Sequence, residues 1–238
     1  MNNYKYLIMD VDDTLLDFGS AFMSAQKGIA DFLGVEYSEE FKALDMKVGW
    51  EAWKSLRMDC TDDPDIQKNY HTYYYDYLEM HYLLLTEALE IQRPVDELVK
   101  HYLDSVTASA VLMEECTLEV IKKLSKKYKL ALATNGTIDM QMHRVEAFKP
   151  YVDKIYISEA MGVIKPTEEF YKYMLDDLGV SSAECLMIGD SVMNDIKGAQ
   201  GVGMAVCYYN PKNRELEKGI STDYMISSIR ELEGILLN

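Results

Sequence analysis

The sequence predicts an α/β fold with a parallel sheet, interrupted by an all-helical insertion. Three observations carry that expectation. From about Cys116 onward, short apolar runs alternate with segments of helical periodicity, the pattern of strands joined by helical crossovers. Between the first apolar run and Leu130 lie more than a hundred residues of helical stripes with no convincing strand, a span too long to be structureless in a compact domain. Only 5 prolines and 13 glycines punctuate the chain, too few for a sandwich built on many tight turns.

The strands are expected at residues 6–9, 130–133, 155–157, 186–188 and 205–207, each short and apolar enough to be buried on both faces of a sheet. Leu118, Ile121 and Leu124 recur at helical spacing in a segment, 118–128, that ends in lysines, which suit the negative end of a helix. Residues 170–178 repeat the pattern, with Glu168 and Glu169 in the first turn and Gly179 placed to end the helix in a left-handed conformation. Ser228 and Glu231 have capping-box spacing ahead of the apolar residues 235–237. Within the insertion, Phe22, Ile29 and Leu33, then Trp50, Trp53 and Leu56, then Tyr70, Tyr73, Tyr74 and Tyr77 fall on helical faces and are expected to form the core of a bundle. The expected division is a core of residues 1–16 and 111–238 and a helical domain of residues 17–110.

With 48% hydrophobic and 27% charged residues, the 238-residue chain can fill a large core and still present a polar surface. Lys and Arg number 24 against 40 Asp and Glu, a formal net charge of −16. Such a chain is repelled by polyphosphate backbones, so nucleic-acid polymers are not expected partners. No apolar run approaches the roughly 18 residues of a membrane span. The N-terminal apolar run is broken by Asp10, Asp12 and Asp13, unlike a signal peptide. Cys60, Cys116, Cys185 and Cys207 form no C-x-x-C pair and no metal-type spacing, so reduced thiols in a cytoplasmic protein are the expectation.

Chemistry collects where the strands end. The first runs into Asp10-Val11-Asp12-Asp13-Thr14, the second into Thr134-Asn135-Gly136, and the fourth into Gly189-Asp190-Ser191 with Asn194 and Asp195 one turn on. In open parallel sheets ligands bind outside the carboxyl ends of the strands. Asp10 and Asp12, two residues apart at a strand end, bring two acids together, and an all-oxygen site completed by Asp190 suits Mg²⁺. Beside such an ion the Asp10 carboxylate can attack phosphorus, while Asp12 protonates the departing alkoxide and later takes a proton from water. Lys165, in Gly162-Val163-Ile164-Lys165-Pro166, is placed to reach the phosphate and offset charge near Asp10. Thr134 and Asn135 offer donors to phosphate oxygens, and Asp195 is expected behind the ion, orienting Lys165 or a metal-bound water.

Asp10-x-Asp12-x-Thr14, Thr134-Asn135, Lys165-Pro166 and Gly189-Asp190-x-x-x-x-Asp195 resemble, in order, the four motifs of the haloacid dehalogenase superfamily, and the insertion is similar to that family's helical cap. The resemblance implies a Rossmann-like three-layer core and a Mg²⁺-dependent phosphohydrolase working through an aspartyl-phosphate. It implies catalytic roles for Asp10, Asp12, Thr134 and Lys165, phosphate contacts from Thr134, Asn135 and Lys165, and metal contacts from Asp10, Asp12 and Asp190. It also implies that Asp12 reaches the metal through its carbonyl rather than its carboxylate. Residues 10–18, the stretch from Gly189 to Gln200, and Gln141 and Arg144 after Thr134-Asn135-Gly136 are similar to the bacterial pyrimidine 5′-nucleotidase branch, whose substrate is a nucleoside monophosphate.

Other chemistries find no support in the residues. A P-loop is absent, Leu15 stands where an EF-hand needs glycine, and Gly198, Gly201 and Gly203 have the wrong spacing for a dinucleotide fingerprint. A second acid at Asp12 favours phosphoester hydrolysis over dehalogenation. A phospho-accepting signalling domain also gathers acids, Thr and Lys around Mg²⁺, but fits in about half this length. A phosphosugar phosphatase or phosphomutase on the same core stands as the alternative reading.

Overall fold

A computed structural model describes residues 4–216 and 218–237. The chain divides into two compact units, residues 1–18 with 110–238 and residues 19–109.

The first unit is built on a parallel six-stranded sheet: β1 (Tyr6–Met9), β2 (Lys129–Thr134), β3 (Lys154–Ile157), β4 (Cys185–Gly189), β5 (Ala205–Tyr209) and β6 (Tyr224–Ile226), in the order β3-β2-β1-β4-β5-β6. Tyr6 pairs with Lys129 of β2 on one side and Cys185 of β4 on the other. The first five strands stand at the apolar runs. β6 was not expected, because a three-residue edge strand with Met225 half exposed carries no run of its own.

Alternate residues of each strand feed two separate apolar cores, one on either face. Leu7, Met9, Leu130, Leu132, Leu186 and Ile188 belong to one; Tyr6, Ile8, Ala131, Ala133, Cys185 and Met187 belong to the other. The period-2 geometry of a strand sends neighbours to opposite faces, so an unbroken apolar run means helices on both sides. Those helices are α5 (Thr117–Leu124) and α10 (Glu231–Leu236) against the first core, and α8 (Glu168–Leu178) and α9 (Gly198–Gly201) against the second. Shorter helices α6 (Ile138–Arg144) and α7 (Ser158–Met161) follow β2 and β3. The result is the three-layer architecture expected.

Two local expectations change. The segment 118–128 leaves the helix after Leu124, and the Ser125, Lys126 and Lys127 amides turn back onto the Ile121, Lys123 and Leu124 carbonyls. The capping box is modified: the Glu231 carboxylate accepts from the Ser227 and Ser228 amides, while the Ser228 hydroxyl donates to Glu114 and accepts from the Arg230 amide at 3.3 Å rather than from that of Glu231. Gly179 does take the left-handed conformation, at φ 63°.

The second unit contains α1 (Phe18–Leu33, entered from Phe18 of the first unit), α2 (Glu39–Ser55), α3 (Pro64–Ala88) and α4 (Val95–Ala108). Asp63 caps α3, with Pro64 in its first turn, where a missing N–H costs nothing. Its core is narrower than the aromatic stripes suggest. Ile29, Leu33, Val48, Ala52, Leu78, Tyr82, Leu85, Leu98 and Tyr102 are buried, whereas Trp53 and Tyr70, Tyr73, Tyr74 and Tyr77 are only partly covered and Trp50 is 54% exposed. At 100° per residue, Trp50 lies about 200° around the helix from Val48, on the opposite face. Among the described residues no helix is long and apolar enough to cross a membrane. All four cysteines are free thiols.

Candidate active site

Strand order reverses between β1 and β4: β2 and β3 extend the sheet to one side of β1, β4 to β6 to the other. The loops leaving β1 and β4 therefore diverge and open a crevice at the carboxyl edge. The Asp10 amide donates to the Ile188 carbonyl at 2.9 Å, one bond beyond the ladder, and this pins Asp10 at the crevice.

Oxygens of Asp10, Asp190 and Asp195 lie within 4.8 Å of one another. Lys165 enters the same space. Its ammonium donates to Asp10 Oδ1 at 2.5 Å, Asp195 Oδ1 at 2.7 Å and the Ala133 carbonyl at 2.9 Å, so all three of its hydrogens are engaged. The residues from β1, β4 and the 162–166 loop thus meet in one buried cluster. Asp195 contacts Lys165 directly and accepts from the Ser191 amide at 3.0 Å through its other oxygen.

The chain is shaped to bring Asp195 there. Gly189, the last residue of β4, leaves room: a Cβ on it would lie 2.3 Å from Asp195 Oδ2. The following turn, Val192–Lys197, is a π-helix, in which the Ser191 carbonyl accepts from both Asp195 and Ile196. Such one-turn widenings recur at functional sites because they redirect a side chain without ending the helix. The buried Tyr171 hydroxyl donates to the Asn194 carbonyl at 2.5 Å.

Three carboxylates face one ammonium, and the imbalance shows in their acidity. Burial raises Asp10 well above the ordinary carboxylate value; Lys165 opposes this, while Asp195 and Asp190 add to it. Burial, then Asp195 and Asp13, push Asp190 up to about 6, against Lys165 and the Thr14 hydroxyl. Burial alone would lower Lys165, but Asp10 and Asp195 outweigh it and hold the ammonium above its usual range. A cluster of hard oxygen donors with surplus negative charge is chemically suited to a divalent cation.

Asp12 lies outside this carboxylate group. Its side chain turns to α6, accepting from Gln141 Nε2 at 2.6 Å on Oδ2 and from Arg144 on Oδ1. The Asn135 carboxamide pairs twice with the Lys165 backbone, donating to the carbonyl and accepting from the amide, both at 2.8 Å. Thr134, buried at the end of β2, accepts from Gln141 Nε2 at 3.0 Å.

Three neighbours went unassigned at the level of sequence. Thr14 is fully buried and its hydroxyl lies 3.3 Å from both Asp10 Oδ2 and Asp190 Oδ1, bridging the two acids. Gln141 and Arg144 lie three apart, on one face of a helix, and both are buried. That spacing was the available signal, but α6 is too short for periodicity to separate its buried face from a surface.

Fold and cluster define a parallel α/β protein with a buried carboxylate–lysine centre at the carboxyl edge of its sheet. The chain belongs to the haloacid dehalogenase-like hydrolases, whose family model matches residues 4–203. It is 28% identical to the HAD-hydrolase YfnB of Bacillus subtilis, across 99% of this chain and 97% of that protein. It is 26% identical to the pyrimidine 5′-nucleotidase YjjG of Escherichia coli, across 98% of both chains. It is 25% identical to the pyrimidine 5′-nucleotidase PynA of Streptococcus pneumoniae, across 96% of this chain and 93% of that one. The crystal structure of magnesium-bound YfnB matches this fold with a TM-score of 0.82 at 25% identity, covering 98% of this chain and 99% of that chain.

Proposed function

We propose that the protein is a Mg²⁺-dependent phosphomonoester hydrolase that works through an aspartyl-phosphate on Asp10, with a nucleoside 5′-monophosphate as substrate. The observation that carries this reading is the meeting of Asp10, Asp190, Asp195 and Lys165 in one buried cluster at the strand switch point. The nucleotide assignment rests on likeness to two pyrimidine 5′-nucleotidases along nearly the whole chain.

The donor set fits the ion: hard oxygen ligands and surplus negative charge. Asp10, Asp190 and the Asp12 carbonyl would hold it. When bound, Mg²⁺ supplies charge neutralisation that lets a phosphate dianion approach carboxylates.

The chain's own groups do the rest. An Asp10 oxygen bonds to phosphorus as the bond from phosphorus to the leaving oxygen breaks, and Asp12 gives that oxygen its proton. Water then attacks the phosphorus of the aspartyl-phosphate and passes a proton to Asp12, releasing phosphate and Asp10. Lys165 holds Asp10 in place and offsets its charge, and the Thr134 hydroxyl contacts a phosphoryl oxygen. Asn135 acts by fixing the backbone of Lys165, and Asp195 by orienting its ammonium.

A Mg²⁺-supplemented screen of phosphomonoesters, nucleotides against sugar phosphates, scored by released phosphate, tests the reading. Nucleoside 5′-monophosphates are the expected preference. A preference for phosphosugars would replace the substrate assignment, and no phosphate release from any of them would overturn the activity.

A further inference from the structure

Gln141 is fully buried, and both hydrogens of its side-chain amide are committed. Nε2 donates to Asp12 Oδ2 at 2.6 Å and to Thr134 Oγ1 at 3.0 Å. The way round that the amide points is settled by its neighbour: Arg144 Nη1 lies 3.5 Å from Gln141 Oε1 and also donates to Asp12 Oδ1. The oxygen must face the guanidinium, so the nitrogen faces Asp12 and Thr134. The backbone is cut away to admit this side chain. A Cβ on Gly136 would lie 2.8 Å from Gln141 Cγ and Nε2.

Two consequences follow from hydrogen-bond inventory. The Thr134 hydroxyl accepts from Gln141, so its single hydrogen is turned elsewhere and is available to an external acceptor. Each Asp12 oxygen accepts one bond and keeps a second lone pair, so Asp12 is fixed in orientation without losing its capacity to carry a proton. One amide therefore sets the direction of two groups that the proposed chemistry places around the reacting phosphoryl.

We infer that Gln141 is a positioning residue for both steps of phosphoryl transfer, aligning Asp12 as proton carrier and aiming the Thr134 hydroxyl at a phosphoryl oxygen, with Arg144 holding the amide in register. This inference rests on the phosphatase reading above. In the first step the bond between Asp10 and phosphorus forms, the bond to the leaving oxygen breaks, and the proton of Asp12 goes to that oxygen. In the second, the bond from water oxygen to phosphorus forms, the bond to Asp10 breaks, and a water proton returns to Asp12. Misplaced, Asp12 fails in the first step only where the leaving oxygen needs a proton, but in the second step always.

That asymmetry separates positioning from mere support of the fold. Gln141→Met keeps the length and removes the donors; Gln141→Glu keeps the shape and replaces them with oxygens. Both are compared with wild type on uridine 5′-monophosphate, whose leaving group is an alkoxide, and on p-nitrophenyl phosphate, whose leaving group departs without a proton. The expected result is a fall of roughly 10²-fold in kcat on the nucleotide. On p-nitrophenyl phosphate, one equivalent of p-nitrophenol per active site should appear at nearly the wild-type rate, followed by slow turnover as acid-stable aspartyl-phosphate accumulates in quenched samples. If Gln141→Met does not fold, the same pattern is required of Gln141→Glu. Unchanged kcat, or an equal fall on both substrates with no burst, overturns the inference while wild-type turnover leaves the phosphatase reading standing. A wild-type protein inactive on both substrates removes the reading and this inference with it.

Discussion

Each of the two units buries carboxylate, and they treat it in opposite ways. In the helical unit Asp45 is 2% exposed, and both of its oxygens are matched: Gln26 Nε2 donates to Oδ2 at 2.8 Å and His81 Nε2 lies 2.9 Å from Oδ1. Because Nε2 faces only acceptors, including the Asp45 carbonyl at 3.1 Å, it carries the hydrogen. Tyr37 completes the chain by donating to Gln26 Oε1 at 2.9 Å. In the α/β unit, Asp10, Asp190 and Asp195 gather near a single ammonium, which bonds to Asp10 and Asp195, and burial makes Asp10 and Asp190 weaker acids than an ordinary carboxyl. A matched buried acid ties helices together. A surplus of buried acids is a cost to the fold that something arriving from outside can relieve.

The sharpest way to break that contrast is to delete one acid from each centre. Asp10→Asn should lower phosphatase kcat by at least about 10³-fold, as loss of a nucleophile does. Its thermal midpoint in EDTA should be no lower than wild type, because a like charge has been removed from the cluster. Retained turnover would end the nucleophile assignment. In the helical unit, Asp45→Ala should instead cost about 3 kcal/mol in urea unfolding, since it strands the Gln26 amide and deprives the His81 N–H of its carboxylate acceptor. A negligible cost there would show that the matched centre does not hold its helices.

The next effect is ionic. Asp190, raised from 3.8 to about 6, binds its proton more tightly folded than unfolded. Its contribution to stability is therefore complete below about pH 3.8 and is lost as pH rises through about 6. In EDTA the protein should lose thermal stability between pH 5 and pH 7.5. Adding MgCl₂ at about 100 times its dissociation constant should raise the midpoint by roughly 5–10 °C at pH 7.5, and by less at pH 5, where protons compete for the same oxygens. A midpoint insensitive to Mg²⁺ at pH 7.5 would leave the surplus acids without their proposed partner.

The same contrast governs what could be read from the sequence. Strands buried on both faces read as short apolar runs, so residues 6–9 and 186–188 were visible, and a charged residue at the end of such a run, as at Asp10 or, one glycine further on, Asp190, stands out. β6 was not visible because Met225 is exposed and three edge residues make no pattern. Thr14, Gln141 and Arg144 were not assigned contacts, because their partners lie on other elements and depend on how a short helix and a glycine-cleared loop come together. The helical unit was harder still. Its aromatics fall at helical spacing on more than one face, and nothing in the sequence ranks those faces. Asp45 and His81 are 36 residues apart, so their pairing exists only in the packed bundle.

The smallest predicted effect tests that last point. Trp50 and Val48 sit on the same helix, and by hydrophobicity alone tryptophan should matter more. Val48 is 5% exposed and belongs to the core, while Trp50 is 54% exposed and meets the Lys54 ammonium 5.1 Å from its ring. Val48→Ala removes two buried carbon groups and should cost about 2 kcal/mol. Trp50→Gln loses one exposed cation–π contact and should cost about 0.5 kcal/mol, close to the scatter of ordinary surface substitutions. Urea unfolding of the two variants should rank them in that order. The reverse order would mean that the aromatic stripe, rather than the Val48 face, holds the helices together.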